Sequence, residues 1–239
     1  FEFIPCKDGD NNTYPVVKIG SQYWMGKNLN STHFVNGTSI DHIPDSLTWF
    51  NSTNPAYCIF NNALQPIQNY GLLYNWYVVN DSSGIAPTGW HVPTQSDLIT
   101  LDNNTTLETF YLVFKIMSNG SREYHGEGNP YIFYGKWAVA WYLSSTEENS
   151  NNAYTFYYYP DGGHSVNSRT KKTGSTIRLI KDDLNNWNEG DTITDYDGNV
   201  YSTLKINNQI WACGNLAVTH YNNGDVIPEV TDATTWTNL

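Results

Sequence analysis

The chain has 239 residues, of which only 15% are charged and 15% are aromatic, with 18 Tyr and 9 Trp. This profile is typical of a β-rich, loop-rich exported protein, and it argues against disorder because so many aromatic residues bury enough area to offset chain entropy. The formal net charge of −11 argues against nucleic acid or an anionic membrane as a partner, since both need clustered Lys and Arg. No apolar run is long enough to span a bilayer, so we expect a secreted or cell-surface protein without a membrane span.

A stretch of 44 residues occurs twice in the chain without a gap: residues 8–51 align with residues 195–238 at 19 identical positions. Such self-similarity sets the architecture. It predicts a complete domain over residues 1–182, a linker over 183–194 and a partial repeat of the start of the domain over 195–239. A fragment this short cannot bury a core alone. We therefore expect it to pack on its own domain, to complete a neighbouring chain or to belong to a longer array.

Each copy predicts a β-hairpin with a Trp on its second arm. In the first copy the arms are Tyr14–Ile19 and Gln22–Met25, joined by Gly20 and Ser21. In the second copy they are Val200–Ile206 and Gln209–Ala212. Alternating β-branched and aromatic residues around a short polar turn are the signature of this motif.

An Asp-x-Asp-x-Asn pattern precedes both hairpins and places three oxygen-bearing side chains at alternate positions. Calcium-binding loops use this arrangement, because a hard cation takes six to eight oxygen ligands on a tight turn. The alternative is an ordinary turn favoured by Asp, Gly and Asn, with no metal. Calcium is the one cofactor that the sequence suggests, with these ligands: Asp8, Asp10, Asn12, Asp195, Asp197 and Asn199.

The middle of the chain contains two candidate helices. The apolar segment Tyr70–Val79 fits either a helix or a buried strand, and we favour the helix. Thr94 is placed to cap a helix over Gln95–Leu101, with Asp97 as its acidic partner. A further helical segment is predicted over residues 106–117.

The later part of the chain predicts short strands within Trp141–Thr146, Ala153–Tyr159 and Ser175–Ile180. The second of these is almost entirely aromatic, and alternate residues of a strand face opposite sides. One side would fill the core, with Tyr154, Phe156 and Tyr158. The other would expose Tyr157 and Tyr159, whose rings suit a sugar face, and Asp161 and His164 would add polar contacts. The alternative is a strand with two packed faces.

The three cysteines have no metal-binding spacing. Cys6 and Cys58 are candidates for a disulfide within the domain. Cys213 would then be left over, and it either bridges subunits or is a buried free thiol. The six histidines lack the spacing of a metal site, and no nucleophile elbow or phosphate loop occurs. We therefore predict no catalytic residues.

Five blocks together resemble the Fibrobacter succinogenes major paralogous domain: Lys18–Met25, Tyr70–Tyr77, Ala86–Thr94, Leu143–Glu147 and Arg178–Asp182. The resemblance covers roughly residues 8–182 and begins again at residue 195. It implies an exported bacterial surface protein with a C-type-lectin-like fold, similar to the formylglycine-generating enzymes. Such a fold is α+β, with short twisted antiparallel sheets, one or two helices and long ordered loops.

The chain departs from the usual pattern of the family at one position. Leu179 stands where many members of the family carry Cys, which bears on the pairing of Cys58. An oxidase like the formylglycine generators needs a close pair of reactive cysteines, and only Cys213 lies in the C-terminal third of the chain. The resemblance therefore does not extend to an enzyme.

The favoured hypothesis is a non-catalytic module that joins copies of itself head-to-tail, into a filament or a repeat array, through the partial repeat. The residues expected to mediate assembly are Tyr201, Ile206, Ile210, Trp211, Cys213 and Trp236. The alternative is a surface adhesin that binds glycan or a host ligand through exposed aromatic residues.

Overall fold

The computed structural model describes residues 6–63, 70–106, 109–110, 118–124, 132–136, 138–159, 162–182, 190–206, 209–221 and 225–237. The chain divides into two compact units, Phe1–Asp182 and Asp183–Leu239. Short strands dominate the described residues and helices are few, so the fold class is α+β, mainly β. No helix in these ranges has the length and apolarity needed to cross a membrane.

The first unit contains fourteen strands among its described residues: β1 (Cys6–Lys7), β2 (Thr13–Tyr14), β3 (Val16–Ile19), β4 (Gln22–Met25), β5 (Asp41–His42), β6 (Ala56–Cys58), β7 (Leu73–Tyr74), β8 (Trp90–His91), β9 (Asn119–Glu123), β10 (Ile132–Lys136), β11 (Ala140–Glu147), β12 (Asn152–Tyr158), β13 (His164–Thr170) and β14 (Ile180–Lys181). The helices with bounds among the described residues are α1 (Ser46–Asn51) and α2 (Gln95–Asn103), and short 3-10 turns lie at Phe60–Asn62 and Trp76–Val78. The strands form sheets in the orders β10-β9-β11-β12-β13, β3-β4-β14-β8, β5-β6-β7 and β1-β2.

The predicted first hairpin is confirmed as β3 and β4. Gly20 begins the turn with a φ of 57°, a left-handed conformation that glycine adopts without strain. β4 is an interior strand of its sheet, because β14 pairs with its other side and sets Ile180 opposite Trp24. The hairpin is therefore covered by a segment from the far end of the same unit.

The predicted helix over Tyr70–Val79 is wrong: the segment forms β7 and a 3-10 turn. Its backbone bonds to distant partners instead of along a helix, with the Leu72 amide donating to Leu29 at 3.0 Å and the Tyr74 amide donating to Ser175 at 2.8 Å. Leu72, Leu73 and Tyr74 are consecutive and all fully buried. An amphipathic helix would expose one of its sides to solvent. Because these three consecutive side chains are all surrounded by other residues, the extended backbone is favoured.

The predicted helix cap at Thr94 is confirmed. The Thr94 hydroxyl accepts a bond from the Asp97 amide at 3.2 Å, and the Asp97 carboxylate accepts from the Thr94 amide at 2.8 Å. This reciprocal pair satisfies two amides that the first helical turn leaves without partners. α2 ends at Asn103, two residues beyond the predicted end. Most of the helical segment predicted over residues 106–117 lies outside the described residues.

Two of the three later strands follow the prediction, as β11 and β12. The third, Ser175–Ile180, contains strand structure only at its end, because its first residues make isolated bridges to different strands. Ser175 bridges to Tyr74, and Thr176 bridges to Tyr142. The segment therefore threads between sheets and brings Ile177 and Leu179 into the core, where both are fully buried.

The second unit repeats the topology of the start of the first. Its described elements are β15 (Thr192–Thr194), β16 (Val200–Ile206), β17 (Gln209–Ala212) and the short helix α3 (Ala233–Thr237). The pairing of Ile193 with Tyr201 matches that of Cys6 with Tyr14. The sheet order is β15-β16-β17, which places β17 at an edge. Its counterpart β4 is covered on that side.

Candidate functional site

The Asp-rich turn of the first unit is held by its own carboxylates. Asp8 Oδ1 accepts the amides of Asp10 and Asn12, each at 2.9 Å. Asp8 Oδ2 accepts the Asn12 side-chain amide at 3.0 Å and the Tyr14 hydroxyl. The Tyr14 oxygen in turn accepts the amide of Asn30 at 2.9 Å. Asp8 is buried, so these bonds compensate the cost of removing its charge from water.

The second unit repeats these bonds at the equivalent positions. Asp195 Oδ1 accepts the amides of Asp197 at 3.0 Å and Asn199 at 2.9 Å. Its Oδ2 accepts the Tyr201 hydroxyl at 2.6 Å, and the Tyr201 oxygen accepts the Ala217 amide at 2.8 Å. Both copies of the sequence therefore fold locally in the same way.

A second carboxylate fastens each turn to the loop that follows the hairpin. Asp10 Oδ2 accepts the Thr32 amide at 2.6 Å, and its Oδ1 lies 2.5 Å from His33 Nδ1. Burial opposes ionisation of Asp10, but these bonds outweigh it and hold the pKa of the carboxyl below its usual value. The same contacts recur in the second unit between Asp197, Thr219 and His220.

The six predicted calcium ligands are therefore engaged in hydrogen bonds, either within their own turns or to the loop that follows the hairpin. Among the described residues, no three His, Cys, Asp or Glu side chains converge on one point that would suit a metal ion. This geometry favours an ordinary turn without a metal, which was the alternative to a calcium-binding loop. Calcium binding stays a prediction.

The most informative surface is one side of the hairpin β16–β17, which we call the open hairpin face. It consists of Leu204, Ile206 and Trp211, which share a side because Leu204 pairs with Trp211 and Ile206 is two residues from Leu204. All three are exposed. Their counterparts in the first unit, Ile19 and Trp24 among them, lie in the core.

The contrast in exposure recurs at three equivalent positions spread along the repeat. Trp24 is 1% exposed and its equivalent Trp211 is 55% exposed. Leu29 is 0% exposed and its equivalent Leu216 is 68% exposed. The last pair differs in the same way, with Trp49 at 1% and Trp236 at 67% exposure. Side chains that form a core in the first unit thus face solvent in the second.

The residues that cover these positions in the first unit come from the part of the domain that is not repeated. Leu98, Leu101 and Ile180 pack in the cluster that contains Trp24. The Trp49 indole donates to the carbonyl of Lys172 at 2.7 Å, and the Arg122 guanidinium lies 4.8 Å from the centre of its ring. The second unit has the equivalent tryptophans, Trp211 and Trp236, but its described residues include no counterparts of the segments that cover Trp24 and Trp49.

The predicted assembly residues divide into two groups. Ile206, Trp211, Cys213 and Trp236 are exposed, and Ile210 is half-buried. Tyr201 does not belong to this surface, because it is buried in its own unit, where its hydroxyl links Asp195 to Ala217. The sequence analysis missed Leu204, Leu216 and Tyr221, although their alignment with Val17, Leu29 and Phe34 carries that signal.

The aromatic strand β12 presents two different sides, and the side predicted to be exposed is partly packed, since Thr155 on it is buried. Phe156 and Tyr158 are fully buried, whereas Tyr154 is half-buried. On the opposite side, Tyr157 is half-buried and Tyr159 is exposed, and their rings meet edge to face at 5.4 Å.

Two further side chains extend this opposite side, which we call the outer aromatic face. Trp141 lies beside Tyr157, with ring centroids 5.1 Å apart, and the Arg169 guanidinium lies 4.0 Å from the Trp141 ring. Arg169 is fixed by Glu123, whose carboxylate oxygen lies 2.8 Å away. The outer aromatic face therefore combines three rings with one held cation: Trp141, Tyr157, Tyr159 and Arg169.

Of the two polar residues predicted to assist these rings, the structure describes only His164. His164 pairs with Tyr158 and so lies on the core side of the sheet, where its Nδ1 is 2.5 Å from the Asp102 carboxylate. The prediction for His164 is wrong because the strand register turns it inward. Asp161 lies outside the described residues.

The predicted disulfide is also wrong, since Cys6 and Cys58 are both free and buried. They belong to different core clusters, one around Tyr14 and the other around Trp49. Burial raises the pKa of both thiols to about 12, so neither is a ready nucleophile. Cys213 is free and exposed, which excludes the buried-thiol reading for that residue.

His91 joins the start of α2 to the end of the first unit. Its Nδ1 lies 2.6 Å from Asp182 and its Nε2 lies 3.2 Å from Asp97. Burial lowers the pKa of the imidazole, but the bonds to Asp182 and Asp97 outweigh burial and raise the pKa to about 9. His91 is thus a positively charged structural link.

Residues 17–112 match the family described as the Fibrobacter succinogenes major domain. This region runs from β3 past α2 and includes the segment Ala86–Thr94, so this part of the chain is similar to that bacterial domain family. The resemblance found in the sequence is confirmed over these residues. Neither the curated proteins nor the solved structures include a match to this chain.

Proposed function

We propose that the protein is a non-catalytic, exported surface module that assembles with further copies of its domain through the second unit. In this proposal the second unit is the opening part of another domain, with its turn and hairpin formed and its apolar side uncovered. Assembly would be head-to-tail and would extend into a filament or a repeat array.

One observation carries the proposal: side chains that are buried in the first unit are exposed at the same positions of the second. Burying a large apolar side chain contributes about 1.5–3 kcal/mol. Five half-exposed side chains would then contribute roughly 5 kcal/mol on docking, listed along the chain as Ile206, Trp211, Leu216, Tyr221 and Trp236. Exposed apolar patches of this kind mark interaction sites.

We also propose that the first unit is a C-type-lectin-like domain. The short sheets, two helices and long loops of the first unit are consistent with a C-type-lectin-like domain. In such domains a rigid scaffold supports long loops for binding, and a binding or structural role needs no catalytic residues.

The proposal is tested by light scattering on the eluate of a size-exclusion column, over a concentration series of the full chain. We expect the molar mass to rise with concentration, and we expect Trp211→Ser to reduce the rise because it removes the largest ring of the open hairpin face. Val200→Ser is the matched control: Val200 is an exposed apolar residue of β16, the strand that pairs with β17, and its counterpart Thr13 is also exposed. A monomer at every concentration would refute self-assembly.

The outer aromatic face favours a second function, an adhesin that binds glycan. Aromatic rings stack on sugar faces, and a fixed Arg beside them donates hydrogen bonds to hydroxyl groups. Two of the rings contact each other, and one lies under Arg169, so the platform is held in place before any ligand binds.

A glycan array separates this function from the first. The full chain should bind a subset of glycans, and Tyr157→Ala should reduce the signal at least about tenfold, since one stacked ring contributes on the order of 1.4 kcal/mol. Tyr196→Ala, which removes an exposed tyrosine from the second unit, should leave the signal unchanged. Equal signals from both variants would remove the proposed platform.

A further inference from the structure

We infer that the free edge of β17 binds an extended basic segment with the chemistry of Gly174–Lys181, donated by another polypeptide chain. The inference rests on the proposed function, which it deepens by naming the chemistry of the partner. Arginine flanked by apolar residues is the defining pattern of the donor, as in Ile177-Arg178-Leu179-Ile180.

The first unit shows how such a segment is bound. The Met25 amide donates to the Leu179 carbonyl at 2.9 Å, and the Leu29 amide donates to the Ile177 carbonyl at 2.9 Å. Ile180 lies opposite Trp24 in the pairing of β14 with β4. These bonds add a strand to the side of β4 that faces away from β3, which is how an edge strand takes up a peptide.

The equivalent donors in the second unit are the amides of Ala212 and Leu216, which both belong to exposed residues. β17 is the edge of its sheet among the described residues, and an unpaired edge is a template for another strand. The open hairpin face adjoins this edge and supplies the apolar contacts.

A specific polar contact selects arginine in the donor. Arg178 is fully buried in the first unit, and its Nε donates to the side-chain oxygen of Asn28 at 2.8 Å. The repeat preserves this asparagine as Asn215, which is exposed. A buried guanidinium without its acceptor is costly, so the pair distinguishes an Arg-bearing strand from a merely apolar one.

Charge complementarity supports the same partner. Residues 183–239 contain eight acidic residues and one lysine, a formal net charge of −7. The donor segment Gly174–Lys181 contains two basic residues, Arg178 and Lys181, and no acidic residue, a formal net charge of +2. Opposite charges favour encounter and suppress pairing with acidic strands.

The test uses the full chain and a synthetic peptide of residues 172–182 with a fluorophore at its amino terminus. Fluorescence anisotropy in 150 mM salt should show saturable binding, and a scrambled peptide of the same composition should bind at least about tenfold more weakly. On the chain, Ala212→Pro should weaken binding because it removes one amide donor, whereas Val200→Ser should have no effect. If the scrambled peptide binds equally well, the interaction depends on charge and not on the sequence of the strand, and the inference is overturned.

The arginine contact is tested by a double-mutant cycle. Asn215→Ala should weaken binding of the natural peptide about fivefold or more, and it should have no further effect on a peptide with Arg178→Ala, since the pair is then already broken. Additive losses would overturn the assignment of Asn215 as the arginine acceptor.

The outcome also distinguishes the two proposals. If the peptide binds while the chain stays monomeric, the strand site stands and self-assembly falls. If the chain assembles while the peptide does not bind, the self-assembly proposal stands and the inference is overturned.

Discussion

Replacing the equivalent tryptophans of the two units by alanine should have very different consequences. Trp24 is 1% exposed and packs with Leu98 and Leu101 of α2, whereas Trp211 is 55% exposed. A buried Trp→Ala change costs about 3–5 kcal/mol, because it adds a cavity to the lost burial. At Trp211 less than half of the side chain is buried, so the cost should be about 1 kcal/mol.

Urea unfolding followed by far-UV circular dichroism, at a concentration where the chain is monomeric, measures this difference. With a slope of about 1–3 kcal/mol/M, Trp24→Ala should lower the midpoint of the transition of the first unit by more than about 1 M. Trp211→Ala should leave that transition in place. The reasoning is refuted if both substitutions lower the midpoint by the same amount, because Trp211 would then be as buried as Trp24.

Three further predictions follow from the described contacts. Because bonds to two carboxylates raise the pKa of His91 to about 9, its contribution to stability is full below about pH 6.5 and is lost as the pH rises through 9. His91→Gln should therefore lower the unfolding free energy by about 1 kcal/mol at pH 6 and leave it unchanged at pH 10; the value at pH 6 is small because 37% of the side chain is exposed to solvent. A difference in unfolding free energy between the two proteins that does not vary with pH would contradict this. Asp8→Ala should cost about 3 kcal/mol in urea unfolding because it leaves buried donors such as the Tyr14 hydroxyl without an acceptor, and Asp195→Ala at the more exposed turn should cost less. A maleimide should label Cys213 in the native chain and the other two thiols only after unfolding, and labelling of a second thiol at the native rate would contradict their burial.

The local structure could be predicted from sequence wherever short-range chemistry decides it. The hairpin at Gly20 and the cap at Thr94 were both predicted correctly, because turn and cap residues act on neighbours within a few positions. The two sides of β12 followed from the alternation of a strand, which needs no tertiary information.

Where distant contacts decide the structure, the sequence alone was misleading. Tyr70–Val79 has the composition of a buried helix, and only the partners Leu29 and Ser175 show why it is extended. His164 appeared beside Tyr159 in sequence, but the register of β12 with β13 turns it to the core side. Cys6 and Cys58 lie in separate clusters, which no spacing in the chain reveals.

The sequence by itself determined that this chain repeats its own beginning, and it located the residues of both copies, because identical local patterns form identical turns and hairpins. Only the tertiary structure decided which copy has a core. Trp24 and Trp211 occupy the same position of the repeat, yet one is buried and the other exposed. The physical reason is that burial depends on distant segments of the chain: Trp24 packs with Leu98 and Leu101 of α2 and with Ile180, which lies more than 150 residues away.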